Sequence, residues 1–135
     1  MDFTYKEGDE FVGKELSIIK QLLIDSKKEL EHYREYKTTS DGIQACEKLW
    51  GALAHSVRLN QYVQGYELPS GHDANILYLS KIGFSEQETR NLRKKANELH
   101  KRFYTGNFDI KELEEDYKYV NEKVNQFIRK LKMVK

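Results

Sequence analysis

Cysteine, proline and long apolar runs are nearly absent from this chain of 135 residues, and each absence narrows what it can be. The single cysteine, Cys46, excludes an internal disulfide and leaves no second thiol for a cysteine-based zinc site. No apolar stretch approaches the roughly 18 residues of a membrane span. The opening MDFTYKEGDE carries acids where a secretory leader needs a basic start and an apolar run, so the expected location is a reducing cytoplasm, with no membrane partner. One proline, Pro69, and eight glycines among abundant Glu, Lys and Leu argue for helices over strands. With 23 basic and 22 acidic side chains the formal net charge is +1, so any case for nucleic acid must rest on local patches.

Several catalytic signatures are missing as well. No pair of histidines has close helical spacing and no H-E-x-x-H occurs, so no metal is expected. There is no G-x-x-x-x-G-K phosphate loop and no G-x-S-x-G elbow, and Cys46 lies near an apolar face without a neighbouring His in sequence. Nucleophilic catalysis by Ser or Cys is disfavoured, and no cofactor is implied.

What remains is length enough for one domain that folds by packing alone, and strong helical periodicity. Residues 9–37 place Phe11, Ile18, Ile19, Leu22, Leu23, Leu30 and Tyr33 at three- and four-residue steps, the spacing of a buried helical stripe. Thr38, Thr39, Ser40 and Asp41 break that pattern and can cap a second helix over about 41–64, whose expected core face is Ile43, Cys46, Trp50, Leu53, Ala54 and Val57. Gly65 to Gly71, around Pro69, reads as a loop, followed by a short helix over about 71–81 that His72 opens in a structural role. Ser85 with Glu88 starts a helix through about Tyr104, and Asp109 with Glu112 starts another with Ile110, Leu113, Tyr117, Val120, Val124, Phe127 and Leu131 on one face. The expected fold is all-α, an antiparallel bundle of four long helices and one short one, in a single domain over 1–135.

At 100° per residue, one edge of the 85–104 helix collects Glu86, Arg93, Asn97, His100 and Tyr104. A histidine can move a proton near neutrality, and an arginine can pair with phosphate oxygens as charge develops, which together suit work on a phosphodiester. The same pattern also fits a solvated helix edge with a half-buried His that satisfies a neighbour. Arg90, Arg93, Lys94, Lys95, Lys101 and Arg102 outnumber Glu86, Glu88 and Glu98 on this helix, a basic excess able to steer phosphate-rich ligands. His55 and Arg58 fall on a polar or partner-facing side of the second helix, open to a ligand or an interface.

Three segments carry a family resemblance: Ala45-Cys46-Glu47-Lys48-Leu49-Trp50-Gly51-Ala52-Leu53-Ala54-His55, Pro69-Ser70-Gly71-His72, and Leu99-His100-Lys101-Arg102-Phe103-Tyr104. Together they resemble the archaeal PaREP group, which is similar to the HEPN (higher eukaryotes and prokaryotes nucleotide-binding) superfamily. The resemblance runs from about residue 10 to 130 and implies a helical up-and-down bundle, commonly a homodimer, found with nucleotidyltransferase partners or in toxin–antitoxin systems. Active HEPN proteins are metal-independent ribonucleases with an Arg four to six residues before a His, and Arg93 with His100 meets that count with six residues between. The resemblance thus implies a catalytic pair Arg93 and His100, with Arg90, Asn97, Tyr104, His55 and Arg58 as candidate ligand-binding residues. Seven residues of helical rise part the two Cα atoms by about 10 Å, so both would reach one phosphate only through long side chains or with a second subunit. The competing expectation is a non-catalytic dimer that binds a protein partner or a small phosphorylated ligand, favoured by nine tyrosines, a residue enriched at interfaces.

Overall fold

The computed structural model describes residues 3–65 and 85–135. The expected short helix, the Pro69 loop and His72 lie outside the described residues. Within them the chain runs β1 (Phe3–Lys6), α1 (Glu10–Tyr36), α2 (Thr39–Val63), α3 (Glu86–Thr105), α4 (Ile110–Arg129) and β2 (Leu131–Val134). The all-α expectation holds for the body of the protein, and a two-stranded sheet is added to it.

Three of the four helices start on a side-chain cap. Ser85 Oγ accepts from the Glu88 N–H at 3.1 Å while Glu88 reaches back to the Ser85 N–H, and Asp109 and Glu112 repeat this reciprocal arrangement. Asp9 accepts from the Val12 N–H at 3.1 Å to start α1. Thr38 precedes α2 without a side-chain cap, so the expected capping role of the Thr-Thr-Ser-Asp run is not filled there by Thr38. Gly106, at φ 63°, ends α3 in the left-handed region that favours glycine. Lys37 ends α1 in the same region at φ 57°, where a Cβ is strained. Lys37→Gly is expected to stabilise the fold by about 1 kcal/mol, read as a higher urea midpoint at unchanged slope.

α1 and α2 form a hairpin across the two-residue link Lys37–Thr38. Phe11 stacks on Tyr62 at 4.2 Å between ring centroids, and Lys48 bonds Glu29 at 2.8 Å, so the first half of α1 lies beside the last half of α2. α2 also packs on α3, α4 and β1, which makes it the central element. That position corrects the expectation of one buried face anchored by Trp50. Ala45, Cys46, Leu49, Ala52, Leu53, Ala54, Val57 and Leu59 are all buried, whereas Trp50 is half-buried and packs at the margin of the core. Two of the buried polar side chains of α2 find partners on its own backbone. Ser56 Oγ donates to the Ala52 carbonyl at 2.7 Å and Asn60 Nδ2 to the Ser56 carbonyl at 2.9 Å. Gly42 is needed where the α3–α4 connection crosses α2, because a Cβ there would run into the Phe108 ring, itself held edge-on to Tyr33 at 5.3 Å.

The sheet joins the two ends of the described chain. β1 and β2 pair in parallel, Phe3 opposite Leu131 through Lys6 opposite Val134. The expected last helix reaches Leu131, but α4 stops at Arg129 and Leu131 enters the strand instead. Four residues are too few to show a strand period, and the pairing partner is supplied only when α1–α4 have folded between them.

Burial pushes the Cys46 thiol from 9.0 up to about 11, against a smaller lowering by Arg102. Cys46 is therefore expected to resist an aromatic disulfide reagent at pH 8 until the protein unfolds, the release of coloured thiolate tracking loss of helicity. Since the folded thiol holds its proton to higher pH than the unfolded one, its contribution to stability is complete below about pH 9 and falls as pH rises toward 11.

Candidate functional site

α3 presents the predicted polar edge, and the structure divides it in two. Along one face, from Arg90 to Lys101, a groove of about 490 Å³ is lined by Arg90, Arg93, Lys94, Asn97, Glu98 and Lys101, four cations against one carboxylate. The i, i+3, i+4, i+7 spacing of these residues is what puts them on one face. Arg90 also meets Glu86 at 3.5 Å, an exposed ion pair that holds it only weakly.

Toward the second half, His100 turns to α2. Its ring lies 5.8 Å from Trp50 at 39° and 4.8 Å from Tyr104 edge-on, and Phe103 stands 5.2 Å from Tyr104. Glu47, Trp50, Leu99, His100 and Phe103 line a second cavity of about 120 Å³. Tyr104 is 72% exposed, a large ring left on the surface beside it. Arg93 and Asn97 thus share one cavity, while His100 lines the other at the same helix edge, with Tyr104 against its ring.

His55 and Arg58 do not join either cavity. They face α1, where His55 Nδ1 lies 2.6 Å from Glu15 Oε2 and the Arg58 guanidinium sits 5.7 Å from the Phe11 ring centroid. Tyr62 closes this row by donating to Asp9 at 2.9 Å, a bond that pushes its phenol above the usual range. The Glu15 partner, forty residues from His55, carries no signal in the sequence. Glu47 was also missed as a site residue, although its place one turn before Trp50 set both on the flank of α2 that meets α3.

The α3–α4 hairpin that carries the edge is held by a buried charge cluster. Asp116 is 1% exposed and takes Lys95 at 2.8 Å and Arg102 through an ion pair. Lys95 also meets Glu98 at 3.1 Å and Arg102 meets Glu112 at 3.1 Å. Lys95 and Arg102, read in the sequence as part of the basic excess, are spent on this cluster, whereas Arg90, Arg93, Lys94 and Lys101 line the groove. Among the described residues no group of three His, Cys, Asp or Glu is placed to hold a metal ion, and no helix is long and apolar enough to cross a membrane.

The model of the archaeal PaREP1/PaREP8 family matches residues 21–124. The chain belongs to this family. The matched span runs from α1 into α4 and so contains the residues that line both cavities. No curated protein and no solved structure matches the chain.

Proposed function

We propose that this PaREP1/PaREP8 protein is a HEPN-like antiparallel bundle that binds single-stranded RNA or a nucleotide along α3 and cleaves RNA without a metal. The observation that carries the reading is that a four-cation groove on α3 lies beside the ring row that His100 and Tyr104 of α3 form with Trp50 of α2. Cations follow a phosphate backbone and rings stack on bases, the combination by which single strands are held. His100 takes the proton of a ribose 2′-hydroxyl as its oxygen bonds to phosphorus. The bond from phosphorus to the 5′-oxygen breaks, and that oxygen receives a proton from the imidazolium. Arg93 offsets the charge gathering on the phosphoryl oxygens. Arg90, Lys94, Asn97 and Tyr104 position the strand. With about 10 Å of helical rise between Arg93 and His100, a homodimer would allow one copy to supply the arginine and the other the histidine. A cytoplasmic toxin–antitoxin setting, with a nucleotidyltransferase or antitoxin as partner, is consistent with this reading.

The test is incubation of wild type and His100→Ala with a mixed RNA pool in EDTA, scoring new ends. Cutting by the wild type alone, with cyclic phosphate termini, is expected; equal cutting by the variant overturns the role of His100, and no cutting by either overturns the nuclease.

A second reading, a non-catalytic module for a protein partner, draws on a groove of about 520 Å³ between α1 and α4, where Ile24 stands half-exposed beside Lys20, Lys27 and Tyr117. Concentration-independent monomer mass with intact RNA cleavage would count against it.

A further inference from the structure

The smaller cavity has a chemistry that phosphate binding does not use. Its walls are rings, Trp50 from α2 and His100 and Phe103 from α3, with Leu99 buried behind them. Glu47 is the one carboxylate among its lining residues. It is exposed, and no hydrogen bond or ion pair engages it among the described residues, whereas the adjacent Lys48 is held by Glu29 at 2.8 Å. At about 120 Å³ the space suits one planar ring system, not a run of nucleotides.

We propose that this cavity receives a guanine base, packed against the rings with its Watson–Crick edge on Glu47; the inference rests on the RNA reading above. An ionised carboxylate only accepts hydrogen bonds. Guanine is the one common base with two adjacent donors on that edge, N1–H and the 2-amino group, and both can meet the two oxygens of Glu47. Adenine and cytosine set a single amino donor beside a ring nitrogen whose lone pair repels the carboxylate. Uracil sets its one N–H between two carbonyls that do the same. Stacking on the rings tolerates every base, so the choice among bases falls to Glu47. A guanosine seated here brings its ribose to His100, and its 3′-phosphate leads along α3 toward Asn97 and Arg93. The strand is then read at the nucleotide before the scissile bond.

Fluorescence anisotropy would test this with labelled ten-nucleotide strands of oligoadenylate, unchanged or carrying one central guanosine, cytidine, uridine or inosine, all 2′-deoxy so that the wild type cannot cut them. The wild type is expected to bind the guanosine strand about tenfold more tightly than the adenosine, cytidine and uridine strands. Inosine, which lacks the 2-amino group, should fall between. Glu47→Gln, checked for unchanged helicity, should bring all five strands within about twofold. Equal binding of all five by the wild type, or a guanosine preference that survives in Glu47→Gln, overturns the guanine site while RNA binding stands. Failure of every strand to bind overturns both.

Discussion

Replacing His100 with alanine is expected to reduce RNA cleavage by about 10²–10⁴-fold, the usual worth of a positioned proton carrier, with a smaller loss of about tenfold in the affinity of the uncleaved strand, the worth of one stacking ring. The split follows from placement. His100 is the middle ring of the row and one of three that can hold a base, while the cations that line the groove are Arg90, Arg93, Lys94 and Lys101. Arg93→Ala should lose both affinity and rate, because its guanidinium meets phosphate before and during reaction. Single-turnover cleavage alongside binding of a 2′-deoxy strand separates the two effects. A His100→Ala variant that loses affinity and cleavage in equal measure would show that the ring only binds. If the pair is assembled across two copies, mixing inactive His100→Ala with inactive Arg93→Ala restores part of the activity.

Asp116→Ala is expected to destabilise the protein by about 3–5 kcal/mol, a drop of roughly 10 °C or more in melting temperature for a domain of this size. Asp116 is 1% exposed, and Lys95 and Arg102, which it holds, are themselves only 19% and 14% exposed. Removing the carboxylate leaves two cations in a place from which water is largely excluded. Glu98 and Glu112 remain to each of them, which sets the loss toward the lower end of that range. Circular dichroism melts of the variant check the value. An Asp116→Ala protein within 1 kcal/mol of wild type would show that the two outer glutamates suffice. Because Lys95 and Arg102 also fix α3 against α4, the folded variant should bind RNA more weakly even though Asp116 lines neither cavity.

Local signals in the sequence were enough for the helix boundaries that capping chemistry governs. Ser85 with Glu88 and Asp109 with Glu112 each act within one helical turn, and the structure has both in place. The stripe Ile19, Leu23 and Leu30 was equally legible, because a helix packed on one side shows its buried face as a period. α2 broke that rule. Surrounded by three helices and a strand, it buries residues all around its axis, and a period read from it identifies only part of the core.

The PaREP resemblance read from the helix-two and helix-three segments agrees with the family match over residues 21–124. The polar edge of α3 was legible for the same reason as its caps, since side chains three and four apart share a helix face whatever surrounds it. How that edge is divided was not. Trp50 and His100 are fifty residues apart, Glu15 and His55 forty, Lys95 and Asp116 twenty-one, and nothing in the order of residues says which of them will meet. The sequence by itself therefore determined the four long helices, the capped starts at Ser85 and Asp109, the family and a basic face. Tertiary structure alone decided that Lys95 and Arg102 are consumed by Asp116, that His55 is turned toward Glu15, and that Glu47 stands beside His100. The physical reason is range: capping and periodicity are set by neighbours along the chain, whereas ion pairing, ring contacts and the β1–β2 strand pair depend on which surfaces packing brings within a few ångströms.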